Sequence, residues 1–174
     1  MAPNYRVRAN TLLNHGKRLS DCGKTDEALL KFEDAYVIAQ KHDLSTVKTE
    51  YFLFKAHAHN KKEQYSEANT AFDQVFTMAV SSLQKDPDNP VNCGNIAKVL
   101  FYLNHNFIPI NPENIPSLRE KVPGYMSEIR ALYDGLLENV PKSKHYSKEY
   151  SLIITGFKTL STKLNPPTEN NIGS

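Results

Sequence analysis

Cysteine is scarce in this chain, and the two that occur, Cys22 and Cys93, share no CxxC spacing that would indicate a zinc or redox site. A reducing compartment is the simpler expectation. Long apolar runs are missing too: no stretch approaches the ~20 apolar residues of a membrane-crossing helix. Met1 to Arg8 holds Arg6 and Arg8, but no uninterrupted apolar core of a secretory signal follows. These absences point to the cytoplasm, or to delivery into a host cytosol. Nor does one sign of charge dominate. A formal net charge of +2 and a pI near 8.4 lack the concentrated basic balance of nucleic-acid domains, so nucleic acid is not the expected partner. No segment alternates apolar and polar residues over strand length, which leaves a sheet without raw material. There is no Gly-rich phosphate loop, HExxH, nucleophile elbow or kinase-like series, so no catalytic residue, metal ligand or cofactor is assigned.

What is present is helical periodicity. At 174 residues with 40% hydrophobic and 23% charged side chains, the chain can build a core of its own. Leu12, Leu13, Gly16 and Leu19 recur at three- and four-residue steps over Asn10–Ser20, and Gly23 suits the left-handed turn that ends a helix. A second helix is expected from Thr25 or Asp26, whose side chains can cap it, with Ala28, Phe32, Ala35 and Ala39 as its stripe. Thr46–Asn60, with Phe52, Phe54, Ala56 and Ala58, and Ser66–Leu83, with Ala68, Phe72, Val75, Phe76 and Ala79, follow suit. Asp86-Pro87-Asp88-Asn89-Pro90 is a strong stop. Beyond it, Asn92–Asn104 reads as a helix, and Pro109, Pro112, Pro116 and Pro123 predict an irregular stretch with at most a short helix at Ser117–Lys121. Tyr125–Val140 and Tyr146–Leu164 close the series, the last carrying Tyr146, Tyr150, Ile153, Ile154, Phe157, Leu160 and Leu164 on one face that would cap the stack. The expected organisation is an arm over 1–9, one all-α domain over 10–164 and a tail over 165–174.

The most informative feature is internal repetition. Asp26-Glu27-Ala28 with Phe32 and Ala35 aligns with Ser66-Glu67-Ala68, Phe72 and Val75, an offset of 40 residues. A small alanine lets two helices of a hairpin approach, and a phenylalanine fills the space toward the next unit. On these residues, together with Gly16, Gly23, Phe52, Ala56, Tyr65 and the closing turn Lys85–Asn89, the sequence resembles the tetratricopeptide repeat over 10–40 and 48–89. That repeat is usually ~34 residues long, so the larger offset implies longer helices or an enlarged loop around His42–Val47. Cys93, Ala97 and Leu100 fit the first helix of a third, irregular unit. The resemblance implies a fold of stacked antiparallel helical hairpins and a non-enzymatic adaptor role. In that family an extended peptide or partner helix lies in a concave groove lined by the first helix of each hairpin. Carried over by position, the groove presents Asn10, Leu13, Lys17 and Asp21 from the first hairpin and Glu50, Leu53, His57 and Asn60 from the second. One family use, gripping a chaperone's C-terminal carboxylate, needs a lysine and an asparagine one turn apart. Leu13 and Lys17 stand there, with Phe54 where a second asparagine belongs, so that use is not expected.

Other residues give weaker signals. His57 and His59, two apart on a helix, point in directions too divergent to chelate one ion. Asp86, Asp88 and Asn89 lack the central glycine and final glutamate of a calcium loop and read as a turn. Lys142, Lys144, His145, Lys148, Lys158 and Lys163, opposed mainly by Glu149, make a basic C-terminal face that could meet an anionic ligand or simply be the wet side of its helix. An alternative of another class is a bacterial or viral effector or regulatory protein in which the repeats are scaffold and Phe107–Pro123 carries an activity.

Overall fold

The computed structural model describes residues 4–87, 89–107, 116–139 and 144–165. They form seven α-helices: α1 Tyr5–Asp21, α2 Thr25–Lys41, α3 Ser45–Lys61, α4 Tyr65–Lys85, α5 Pro90–Tyr102, α6 Pro116–Asn139 and α7 Lys144–Leu164, with a π-helical turn, Leu103–Phe107, continuing α5. No strand occurs among the described residues. The fold is all-α and helical-repeat-like, with helices following one another as packed neighbours. The chain divides into two compact units, Met1–Ala79 and Val80–Ser174, the boundary falling inside α4.

The first unit is built on a 20-residue period, since α1 to α4 begin at Tyr5, Thr25, Ser45 and Tyr65. Each of the three turns between them repeats one hydrogen bond: Lys24 N–H to the Leu19 carbonyl, Leu44 N–H to Ala39 and Gln64 N–H to His59, all 2.9 Å. This six-to-one bond belongs to the Schellman turn, which places the preceding residue in the left-handed region. Gly23 (φ 79°), Asp43 (φ 48°) and Glu63 (φ 57°) occupy that place. The 40-residue offset therefore comes from longer helices, α1, α2 and α3 having 17 residues each, and not from an enlarged loop at His42–Val47. The expected cap at Thr25 or Asp26 is also corrected: Lys24 holds the N-cap position with no side-chain hydrogen bond, because the Schellman turn leads straight into α2. α1 starts well before Asn10, where Asn4 Oδ1 accepts from Val7 N–H at 3.1 Å, so residues 5–9 of the expected arm are helical.

Antiparallel and parallel relations follow from which residues meet. Tyr5 stacks on His42 with ring centroids 3.6 Å apart, while Gly16 faces Phe32, so α1 and α2 run antiparallel. Gly16 is required there: a Cβ would lie 2.5 Å from Phe32 Cε1 and 3.0 Å from the Ala28 carbonyl. Ala28, Phe32, Ala35 and Ala39 are buried, and so are Ala68, Phe72, Val75 and Ala79, 40 residues on. α3 is buried on several sides, through Val47, Thr49, Tyr51, Leu53, Ala56 and Ala58, which is why no single apolar stripe describes it. The stripe expected from Phe52 and Phe54 is thus only part of its packing: both are half-buried, Phe52 against Tyr36 and Phe54 against Phe32.

In the second unit Asn89 Oδ1 accepts from Val91 N–H at 3.0 Å, and Pro90 takes the first helical position of α5, where its missing donor costs nothing. Asn92 ties the turn shut by donating to the Ser82 and Asp86 carbonyls, both at 3.0 Å. α6 corrects the irregular reading of its region: one helix runs from Pro116 to Asn139 with Pro123 inside it. An interior proline removes one backbone hydrogen bond and costs ~3 kcal/mol. Here it stands on the exposed side while Val122 and Ile129, seven residues apart, hold the buried stripe. α7 lies against both α5 and α6. Its expected stripe is buried at Ile153, Ile154, Phe157, Leu160 and Leu164, whereas Tyr146 and Tyr150 fall outside the described side chains.

Candidate functional site

The period that builds the first unit also brings the first helices of its hairpins side by side and parallel. The Lys17 ammonium stands 5.9 Å from the Phe54 ring centroid. One turn on, Lys61 lies 3.7 Å from the Asp21 carboxylate and donates to the Ser20 carbonyl at 3.1 Å. Both helices advance together, so positions related by about one repeat share a level along the α1–α3 face.

The residues expected to line this face divide into two kinds. Lys17 and Asp21 are exposed, and Asn10, Glu50, His57 and Asn60 are half-buried. Leu13 and Leu53, each 1% exposed, belong to the core. Their place in the middle of each stripe supports the polar neighbours and offers a ligand no surface. Phe54 and Lys61 join the face instead, Lys61 being anchored on the carbonyl of the buried Ser20. The signal for Lys61 was the repeat itself, because it stands 40 residues after Asp21, but it lies just past Asn60, the expected end of its helix.

Electrostatics gives the face one sensitive group. Burial disfavours the charged imidazolium of His57, the cations of Lys61 and Lys17 add repulsion, and the opposing pull of Asp21 is too small to cancel them, so its pKa is lowered. His59 leads elsewhere: its Nδ1 shares a 2.8 Å hydrogen bond with Gln64 Oε1. Among the described residues no three His, Cys, Asp or Glu side chains gather as a metal-binding group.

α3 is held against α2 by a compact polar brace. Tyr51 O–H donates to Glu33 Oε1 at 2.7 Å, and Lys55 Nζ donates to the same oxygen and to the Tyr51 hydroxyl, both at 2.8 Å. Partial burial alone would raise the Glu33 carboxyl, but the hydrogen bonds from Lys55 and Tyr51 outweigh it and hold the pKa below the usual value. Burial first, then the hydrogen bond to Glu33, push the Tyr51 phenol up to about 12. Tyr36 stacks on Tyr51 at 4.2 Å between centroids and closes the apolar side. This brace fixes the rotation of α3 and hence the angle at which His57 and Phe54 meet α1.

The other sequence-derived sites are placed as follows. Lys158 is exposed and Lys163 donates to the Asn104 carbonyl, while Lys142, Lys144, His145, Lys148 and Glu149 fall outside the described side chains. Of Phe107–Pro123, residues 108–115 lie outside the described residues and Pro116–Pro123 form the start of α6. No helix among the described residues is long and apolar enough to cross a membrane. The chain matches no protein-family model, no curated protein and no solved structure.

Proposed function

We propose that this protein is a non-enzymatic interaction module of tetratricopeptide type, in which the α1–α3 face of the first unit binds an extended peptide of a partner protein. The observation that carries the reading is the parallel alignment of α1 and α3 at one repeat's offset, with Lys17, Asp21, Phe54, His57 and Lys61 brought to a single surface. That surface mixes a cation, a carboxylate, an aromatic ring and a half-buried imidazole. Such a mixture can read a peptide's backbone and side chains together. Lys17 and Asp21 supply opposite charges one turn apart; Asn60 adds amide hydrogen bonding; Asn10 and Glu50 lie toward the other end.

Selection of displayed random peptides on the full chain tests the reading. Binders should lose about tenfold in affinity with Lys17→Glu or Asp21→Lys, both at exposed positions. They should also shift backbone amide resonances of α1 and α3. Peptides that bind with affinity untouched by either substitution would remove the α1–α3 face from consideration.

A further inference from the structure

The side of α3 that packs on α2 has a counterpart on α1 one repeat earlier. Val47, Tyr51 and Ala58 on α3 are at most 2% exposed and belong to the core that α1 and α2 also build. Forty residues before them stand Val7, Thr11 and Arg18, all exposed, Val7 at 58%. The repeat thus presents the same helix face twice, covered in the second hairpin and uncovered in the first.

Ion pairs follow the same register. Lys48, Lys55 and Lys62 stand seven residues apart, and each holds a carboxylate of α2 or of the turn after it: Asp43 at 2.6 Å, Glu33 at 2.8 Å and Asp26 at 2.5 Å. The carboxylates run backward along the chain as the lysines run forward, as antiparallel helices require. One repeat earlier, Arg8 stands in the place of Lys48 and His15 in the place of Lys55. Arg8, Thr11, His15 and Arg18 are exposed and follow one another at three- and four-residue steps, so they form one stripe of α1 that runs for ~15 Å.

Charge selects the occupant. The sequence has no aspartate or glutamate before Asp21, and each of the six carboxylates from Asp21 to Asp43 already faces a lysine. The guanidinium groups of Arg8 and Arg18 make no ion pair or hydrogen bond among the described residues, so the stripe keeps its positive charge. Shape selects it further. The interior backbone groups of α1 are bonded within the helix, so an extended strand would find no ladder partners there. On α3 the equivalent face takes a helix, with Tyr36 of α2 stacked on Tyr51 at 4.2 Å between centroids and Glu33 on Lys55. Two arginines would neutralise only ~2 phosphates, which is little for a nucleic-acid contact.

We infer that the outer stripe of α1 docks an acidic amphipathic α-helix of a partner protein, laid antiparallel to α1 as α2 lies on α3, with carboxylates on Arg8 and Arg18 and an apolar ridge over Val7 and Thr11. Lys17 stands about two and a half helical turns beyond Arg8 and so on the opposite side of α1. The stripe is therefore separate from the α1–α3 face and requires a different ligand.

The test is a selection on the full chain from a displayed library of helix-forming peptides of about 18 residues, with the charged positions drawn equally from Glu and Lys. Enriched peptides should carry Glu at seven-residue spacing beside an apolar ridge. Their affinity should fall about tenfold with Arg8→Glu and with Arg18→Glu, and should weaken with salt. Both positions are exposed, and at Arg8, in the first turn of α1, glutamate also suits the helix dipole, so circular dichroism should show the helices intact. The same selection on a chain carrying both substitutions should turn from Glu to Lys. No enrichment, an excess of Lys on the unsubstituted chain, a doubly substituted chain that still selects Glu, or affinity indifferent to both substitutions overturns the proposal. So does binding lost with Lys17→Glu and kept with Arg8→Glu, which maps to the α1–α3 face and leaves the peptide-binding reading of that face in place. Two further outcomes overturn it by giving the stripe another occupant: self-association of the chain abolished by Arg8→Glu, or capture by phosphatidylserine vesicles or duplex DNA lost in the same variant.

Discussion

Residues 5–79 and the described residues of 80–165 are both made of helices that carry small and large apolar side chains, yet the two regions use glycine differently. In the first, Gly16 is pressed against Phe32 and Gly23 makes a left-handed turn, so glycine serves close packing and regular reversal. In the second, Gly94 faces open space, whereas Gly156 stands where an added Cβ would lie 3.2 Å from Leu100, so one glycine opens the surface and the other lets α7 come close to α5. The evenly spaced helices of the first region bury their small residues, while in the second Gly94 is left at the surface. The comparison explains why one region offers a polar, aligned face and the other an apolar recess.

The strongest way to break the comparison is at the repeated phenylalanines. Phe32→Ala and Phe72→Ala should each destabilise the chain by about 3–5 kcal/mol in urea unfolding, because both side chains are fully buried at equivalent positions. Losses that differ several-fold would show that the two hairpins are not equivalent. Next comes a contrast of glycines. Gly16→Ala should cost about 1–3 kcal/mol through the clash with Phe32 and the Ala28 carbonyl. Gly156→Ala, whose new methyl sits 3.2 Å from Leu100, should stay within about 1 kcal/mol because the gain in helix propensity offsets the crowding.

Turn chemistry supplies a smaller effect of opposite sign. Glu63 is a non-glycine residue held at φ 57°, so Glu63→Gly should raise stability by about 0.5–1 kcal/mol, whereas Gly23→Ala at φ 79° should lower it by about 1 kcal/mol. Thermal melts of the pair would show whether the period of the first region depends on the turn or on the helices it joins.

Smallest is the response to acid. The folded His57 imidazole has a pKa below its ordinary value of 6.5, so the unfolded chain takes up a proton there more readily than the native one. Stability from this group is complete above pH 6.5 and declines as the pH falls through that value toward the folded pKa. Denaturant titrations at pH 7.5 and 5.5 should show the decline, and His57→Gln should flatten that part of the profile; an unchanged slope would place the titration elsewhere. Glu33 acts in a lower window. Its depressed carboxyl contributes stability above the ordinary value of 4.5 that is lost as the pH drops through its folded pKa.

Much of the first region is legible in the sequence because helix formation and hairpin packing leave local marks. Ala28, Phe32, Ala68 and Phe72 announce their repeat by spacing alone, and all four are buried. The turn at Asp43 and Glu63 left no such mark, since neither residue is glycine and the left-handed conformation follows from the helices on either side. Leu13 and Leu53 were equally opaque, because the same helical stripe contains core and surface positions and only the neighbouring helix decides which is which. Pro123 misled for a related reason: its local cost is real, but the buried stripe of Val122 and Ile129 carries the helix through it.

By itself the sequence determined an all-helical chain, a repeat of 40 residues and the small-and-large pairs that join helices, all of which depend on neighbours within a few turns. Tertiary structure alone decided that α1 and α3 run parallel at one level, that α7 lies against both α5 and α6, and that an apolar slot stays open between α5 and α7. Those outcomes come from packing between residues far apart in the chain, where the energy belongs to the pair of surfaces and to neither segment's pattern.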